Sequence, residues 1–292
     1  MKVKNLFPVS VLFVLVLASC SKSDSDSGST PATAVTMTNV AYGTDASQKM
    51  DVYLPANRTA ATTKVVILVH GGAWFSGDKA DFAPYIDTLK KRIPDYAIIN
   101  INYRLAALPS TNAFPAQEVD VKAAVEYIYS HRAEYLISDK FVMMGASAGG
   151  HLSLLQAYKY TSPVKIKAVV DFCGPTDMVA MYNDYAGSPA SQAGIAALMS
   201  GTPATNFTLY QTSSPLSYAV AGSCPTIIFQ GSLDPIVNAN TQSLALKTKL
   251  TTNGVTNQYT VYAGLGHVDT WTAATNTDAF DKIGVFLAAN VQ

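Results

Sequence analysis

Phe141-Val142-Met143-Met144-Gly145-Ala146-Ser147-Ala148-Gly149-Gly150-His151-Leu152 decides the fold of this chain. The four apolar residues at its start read as a buried strand, and the run from Gly150 reads as the first turns of a helix. Between them stands Gly-x-Ser-x-Gly. In a strand–turn–helix setting this pentapeptide is a nucleophile elbow, in which small neighbours let the backbone turn sharply. The serine is then held strained and exposed at the C-terminal edge of its strand. The flanking strand and helix give the short pattern its weight.

Working outward, apolar β-branched runs bounded by turn residues fall at Met37–Tyr42, Met50–Leu54, Val65–Val69, Ala97–Ile101, Phe141–Met144, Ala168–Phe172, Thr226–Phe229 and Gln258–Tyr262. From Val65 onward these runs are continuously hydrophobic, as expected of parallel strands covered on both faces. Helical patterns separate them at Asp81–Lys91, Gln117–His131, Ala148–Tyr158, Thr241–Thr252 and Asp278–Ala289. The alternation predicts an α/β fold: a mostly parallel eight-stranded sheet flanked by helices. The first two runs, joined by Gly43-Thr44-Asp45, predict an antiparallel hairpin at its edge. Gly174–Ser223 is far longer than an ordinary connection and includes a helical pattern at Ser191–Met199. It is expected to form a small cap insertion (174–223) over the C-terminal edge of the sheet, where open α/β sheets hold their ligands.

The chain has 20 basic and 20 acidic residues and no formal net charge, which argues against nucleic acid as a partner. Its length fits one sizeable domain, assigned to residues 35–292. Ahead of it, Lys2 and Lys4 precede the apolar stretch Leu6–Leu17 and then Leu17-Ala18-Ser19-Cys20. The apolar stretch is shorter than the about 20 residues that span a bilayer. This segment resembles a bacterial lipoprotein signal (residues 1–19). The resemblance implies cleavage before Cys20, lipidation there, and anchoring to the outer membrane on its periplasmic or cell-surface side. Residues 20–34, rich in Ser, Asp, Gly, Pro and Thr, predict a flexible tether. Lys22, Asp24 and Asp26 resemble an acidic surface-export tag. Cys173 follows one predicted strand and Cys224 precedes its parallel neighbour, which puts them roughly 15 Å apart at ~3.3 Å per residue. That is too far for a disulfide; two unpaired thiols without redox or metal roles are expected.

A serine hydroxyl is a poor nucleophile until a base takes its proton, and the base works best when a third group fixes its tautomer. In this fold the order is Ser, then Asp or Glu, then His. Of four histidines, His267 alone follows the last predicted strand, in Gly264-Leu265-Gly266-His267. Asp234 follows the strand Thr226–Phe229 and is the leading candidate for the acid. Asp177 ranks second, with Asp171 and Asp269 behind. His70-Gly71-Gly72-Ala73-Trp74 follows the strand Val65–Val69, and its glycines let backbone N–H groups face a ligand. The amides of Gly72, Ala73 and Ala148 are the candidate oxyanion donors, with His70 and Trp74 as loop supports.

His70-Gly71-Gly72-Ala73-Trp74 with Gly77-Asp78-Lys79, Asn102-Tyr103-Arg104-Leu105, the Ser147 pentapeptide, Gly174-Pro175-Thr176-Asp177, Ser214-Pro215-Leu216, Gly231-Ser232-Leu233-Asp234 and Gly266-His267 appear in that order. Together, over about Val40 to Leu287, they resemble the α/β-hydrolase carboxylesterases of the hormone-sensitive-lipase-like group. The feruloyl and acetyl xylan esterase branch is the nearest resemblance, because the oxyanion motif ends Ala-Trp rather than in a third glycine. The resemblance implies a serine carboxylesterase acting on short acyl or feruloyl esters of a plant polysaccharide such as xylan. It implies no metal and no organic cofactor, and a bracing role for Tyr103-Arg104-Leu105. Two other readings stand beside it: an arylformamidase-like hydrolase, which shares His-Gly-Gly-x-Trp, and a non-catalytic glycan-binding lipoprotein on a hydrolase scaffold.

Overall fold

The computed structural model describes residues 31–109 and 111–292. The leader, Cys20 and most of the tether lie outside the described residues. The eight expected strands form as β1 (Val35–Ala41), β2 (Lys49–Leu54), β3 (Lys64–Val69), β4 (Tyr96–Ile101), β5 (Phe141–Ala146), β6 (Ala168–Phe172), β7 (Thr226–Gly231) and β8 (Asn257–Tyr262). They build one sheet in the order β1-β2-β4-β3-β5-β6-β7-β8. The hairpin β1–β2 lies antiparallel at the edge, β2 meets β4 antiparallel, and β3 to β8 run parallel. This is the mostly parallel α/β sheet expected from the alternating pattern, in the α/β-hydrolase fold that the motif resemblance implied.

The helices in chain order are α1 (Ile86–Arg92), α2 (Ala116–Ser130), α3 (Arg132–Tyr135), α4 (Ala148–Lys159), α5 (Met178–Asp184), α6 (Pro189–Leu198), α7 (Phe207–Thr212), α8 (Ser243–Thr252) and α9 (Ala273–Asn290). Successive strand residues face opposite ways, and both faces are filled. Val65, Ile67 and Val69 belong to the core that also holds residues of α2, α4 and α8, whereas Val66 and Leu68 belong to the core of the other face, with residues of α1 and α9. The chain leaves β3 across one face to β4, then returns across the other to β5 on the far side of β3. The C-terminal ends of β3 and β5 therefore open onto a crevice at a topological switch point.

Two elements differ from the sequence reading. Asp81–Lys91 is not one helix: Lys79–Tyr85 is a 3-10 turn that hands over to α1 at Ile86. Asp78 caps it by accepting from the Ala80 N–H at 2.8 Å, while Asp81 accepts from the Asp78 N–H at 3.2 Å. Pro84, inside the turn, has no N–H to continue an α-helical ladder. Residues 174–223 do form an insertion, made of α5 to α7 and a 3-10 turn at Pro215–Tyr218. Its Met178, Met181, Leu198, Met199 and Tyr210 are buried in the core on the α4 side. The segment thickens that layer instead of hanging free. Among the described residues no helix is long and apolar enough to cross a membrane.

Asp120 on α2 ties the segment after β4 to the body of the fold. Its wholly buried carboxylate accepts from the Arg104 N–H at 2.8 Å, from Arg104 Nη2 at 2.6 Å and from Gln48 Nε2 at 2.7 Å. Removing one partner of a buried pair leaves a charge without compensation, which costs about 3–5 kcal/mol. Asp120→Ala should therefore lower the stability of the domain by about 3–5 kcal/mol, read from chemical denaturation; a loss below about 1 kcal/mol would contradict this.

Candidate active site

Ser147 is the turn between β5 and α4, with φ +53° and ψ −120°. A non-glycine residue rarely adopts this conformation, and the surrounding contacts must hold it there. Its N–H donates to the Phe172 carbonyl at 2.7 Å, and its own carbonyl accepts from the His151 N–H at 3.0 Å. Gly149 makes the turn possible: a Cβ there would stand 2.0 Å from the Val69 carbonyl oxygen. The helix can thus begin against the end of β3, and Ser147 is left on the wall of the crevice.

His267 and Asp234 come from loops after β8 and β7, adjacent parallel strands. His267 Nδ1 lies 2.7 Å from Asp234 Oδ2. An ionised carboxylate can only accept, so the proton of the neutral ring sits on Nδ1 and Nε2 keeps its lone pair. The Asp234 side chain is fully buried. Burial alone would raise its pKa, but the bond from His267 and the Val237 and Ile236 N–H groups outweigh that and hold it below the usual carboxylate range. Those amides reach Oδ1 at 2.9 and 2.8 Å.

Each loop is fastened to the other. Gly231 has no Cβ because one would stand 2.0 Å from the Gly266 carbonyl oxygen. The Leu233 N–H donates to the Leu265 carbonyl at 2.9 Å, and Trp271 Nε1 donates to the Gly266 carbonyl at 3.1 Å.

The loop after β3 supplies Gly72 and Ala73, which line the same cavity as Ser147 and His267. Gly72, Ala73 and Trp74 all have positive φ, at +101°, +52° and +65°. The expected supports are in place. Tyr103 donates its hydroxyl to the His70 carbonyl at 3.0 Å and stacks on the His70 ring at 4.2 Å. Ala148 is the first residue of α4, so its N–H is one of the donors an α-helix leaves without an internal partner.

The cavity has a volume of about 480 Å³, within the range of small-molecule sites. Phe82 and Tyr85 wall it from the 3-10 turn and its end, Phe280 from α9, Phe172 from β6 and Ile236 from the Asp234 loop. None of the described residues of 174–223 lines it. The expected cap over the site is corrected accordingly: the helices of that segment bury their apolar side chains in the core beside α4, and the residues around the 3-10 turn and α9 shape the pocket.

Other expectations resolve residue by residue. Asp177 caps α5, accepting from the Val179 and Ala180 N–H groups at 2.9 and 3.0 Å, so it is occupied away from His267. Asp171 is buried under the Cys173–Gly174 turn and accepts from the Gly174 N–H at 3.0 Å; burial pushes it up to about 7. Cys173 and Cys224 are free and buried. Cys173, expected as an unpaired thiol, has its sulfur within 4.8 Å of the facing atoms of Asp234 and His267. Burial, with the Asp234 charge beside it, keeps it a thiol. Gln230 escaped the sequence reading altogether. It donates to Asp234 Oδ2 at 3.0 Å and to the Val237 carbonyl at 3.2 Å, and accepts from the Ser243 hydroxyl at 2.6 Å. The one signal for it was a polar residue ending an apolar strand.

A family model, BD-FAE, matches residues 50–250, most of the domain that carries this geometry. The chain belongs to the BD-FAE family. Esterase LipC of Mycobacterium tuberculosis is similar to this BD-FAE protein, 30% identical over 42% of the chain and 30% of LipC. Kynurenine formamidase of Salmo salar is 26% identical over 53% of the chain and 51% of its own length. Among solved structures, a bifunctional GH43-CE of Bacteroides eggerthii superposes with a TM-score of 0.74 at 27% identity, covering 88% of the chain and 38% of that protein. The chain thus spans about half or less of each of these relatives. The motif-based resemblance to hormone-sensitive-lipase-like carboxylesterases holds for this BD-FAE protein.

An Asn at position 234 would keep the size of the side chain but present N–H₂ or a neutral oxygen to Nδ1, losing the charge and the fixed tautomer. Asp234→Asn should lower kcat on p-nitrophenyl acetate by on the order of 10⁴ with little change in KM; a loss under about tenfold would rule out that role for Asp234.

Proposed function

We propose that this protein is a lipid-anchored serine esterase that releases short acyl or feruloyl groups from an esterified polysaccharide. The observation that carries the chemistry is the His267–Asp234 pair at 2.7 Å, with His267, Ser147, Gly72 and Ala73 on the wall of one cavity. His267 Nε2, left with its lone pair, takes the Ser147 proton as Oγ attacks the ester carbonyl. Asp234 stabilises the imidazolium that results. The amides of Gly72, Ala73 and Ala148 hold the oxyanion, each such donor contributing about 3–4 kcal/mol. Collapse of the tetrahedral intermediate breaks the C–O bond, and His267 returns its proton to the departing alkoxide. A water then repeats both steps on the acyl-enzyme and frees the carboxylic acid and Ser147.

Phe82, Tyr85, Phe172 and Phe280 favour an aromatic or short acyl chain through apolar contact and ring packing. The GH43-CE relative supports a carbohydrate ester as the natural substrate. The leader, with Lys2, Lys4, the apolar stretch and Cys20, supports a lipid anchor in the outer membrane. The formamidase relative favours one second reading, cleavage of an arylformamide by the same residues.

One experiment covers these readings: turnover of p-nitrophenyl acetate, methyl ferulate and an N-formyl arylamine by membrane and soluble fractions of expressing cells. Ester turnover in the membrane fraction that disappears in Ser147→Ala is expected. Preference for the formyl amide would favour the second reading, and turnover confined to the soluble fraction would refute the anchor at Cys20.

A further inference from the structure

His151 lies one turn into α4 and is wholly buried. Its two ring nitrogens have different partners. Trp74 Nε1 stands 3.2 Å from Nδ1, and the Ser213 carbonyl oxygen stands 2.7 Å from Nε2. An indole N–H can only donate and a carbonyl can only accept, so Nδ1 holds the lone pair and Nε2 carries the proton. One neutral tautomer satisfies both neighbours. Burial agrees with it: desolvation, aided by the Lys159 charge and opposed by the Ser213 bond, pushes this imidazole down to about 4. Trp74 meets the ring edge-on at 5.2 Å, and Phe114 packs against it at 5.6 Å.

Trp74 ends the strained stretch Gly72-Ala73-Trp74, where two non-glycine residues in succession have positive φ. Backbone bonds anchor that stretch to its own loop and to the segment after β4: Gly72 O accepts from Ser76 N–H at 2.9 Å, and Trp74 O from Ala106 N–H at 2.9 Å. The Trp74 indole reaches a third element, α4, whose first N–H belongs to Ala148. The proposed oxyanion donors are thus split between a strained loop and a helix, and the Trp74–His151 bond joins the two.

We infer that His151 is a positioning residue: held as its Nε2–H tautomer by the Ser213 carbonyl, it locks the oxyanion loop to the nucleophile helix through Trp74. This rests on the serine esterase reading. It also gives the 174–223 insertion, which includes Ser213, a place in the chemistry. The insertion acts from behind the site, through a carbonyl, without lining the pocket. Without an acceptor at Nδ1, the indole N–H would be buried unpaired and the loop could relax from its strained conformation. Oxyanion donors act only within about 2.7–3.1 Å, and they act more strongly on the transition state than on bound ester, so the loss should fall on kcat.

The test is steady-state turnover of p-nitrophenyl acetate by wild type, Ser147→Ala, His151→Leu, His151→Asn and Trp74→Phe. Activity of wild type lost in Ser147→Ala establishes the underlying reading; an inactive wild type would overturn that reading itself. His151→Leu and Trp74→Phe should each lower kcat about 10–100-fold with KM within about threefold. His151→Asn, whose amide oxygen can stand where Nδ1 stood, should recover most of the rate. Trp74→Phe removes the donor and leaves His151 in place, so it decides the matter even if His151→Leu fails to fold. A Trp74→Phe enzyme within about twofold of wild-type kcat, or His151→Asn falling as far as a folded His151→Leu, would overturn the inference.

Discussion

The start of α4 is pressed against the end of β3, and the reaction centre depends on that contact. With 2.0 Å between the Val69 carbonyl oxygen and the place a Cβ would take, position 149 admits only glycine. Strand β5 must then turn within one residue, and Ser147 takes the strained φ of +53° at a cost of about 1–3 kcal/mol. The bond to the Phe172 carbonyl and the buried strands on either side offset that cost. Since Val69 pairs with Gly145, the loop that leaves β3 is delivered beside the serine. Sheet register thus brings the proposed nucleophile and the proposed oxyanion donors together.

The same economy governs the other half of the site. β7 and β8 pair through Gly231 and Tyr262, and the loops that follow them are fastened by the Leu233–Leu265 bond and by the fit of Gly231 against Gly266. Asp234 and His267 therefore meet at 2.7 Å on backbone that has little freedom to part. Gln230 fixes the carboxylate from below, so a chain of contacts runs from α8 through Ser243, Gln230 and Asp234 to His267. Oriented in this way, the imidazole keeps Nε2 available for a proton.

The strands were legible because strands buried on both faces leave unbroken apolar runs, as in Val65–Val69 and Phe141–Met144. The elbow and the glycine-flanked histidine were legible because their chemistry is local backbone chemistry, written in adjacent residues. The pocket walls were not. Tyr85 and Phe280 become neighbours, 5.3 Å apart, only when a 3-10 turn near residue 80 packs on a helix near residue 280. Pro84, with no N–H to continue a helix, was the one sign of that turn inside what reads as one helical pattern. The length of Gly174–Ser223 suggested a cover for the site, but its apolar residues had a core to join. His151 looked like an ordinary member of a helix, since its partners Trp74 and Ser213 lie far away in sequence.

Covalent capture of the nucleophile tests the central claim most directly, that Ser147 is activated by His267 within this cavity. The protein would be treated with a dialkyl p-nitrophenyl phosphate and its peptides mapped by mass spectrometry. One dialkylphosphoryl group on the peptide bearing Ser147, with one equivalent of p-nitrophenolate released and neither seen in His267→Ala, is the expected result. A label on any other residue, or labelling of Ser147 that proceeds equally well without His267, would contradict it.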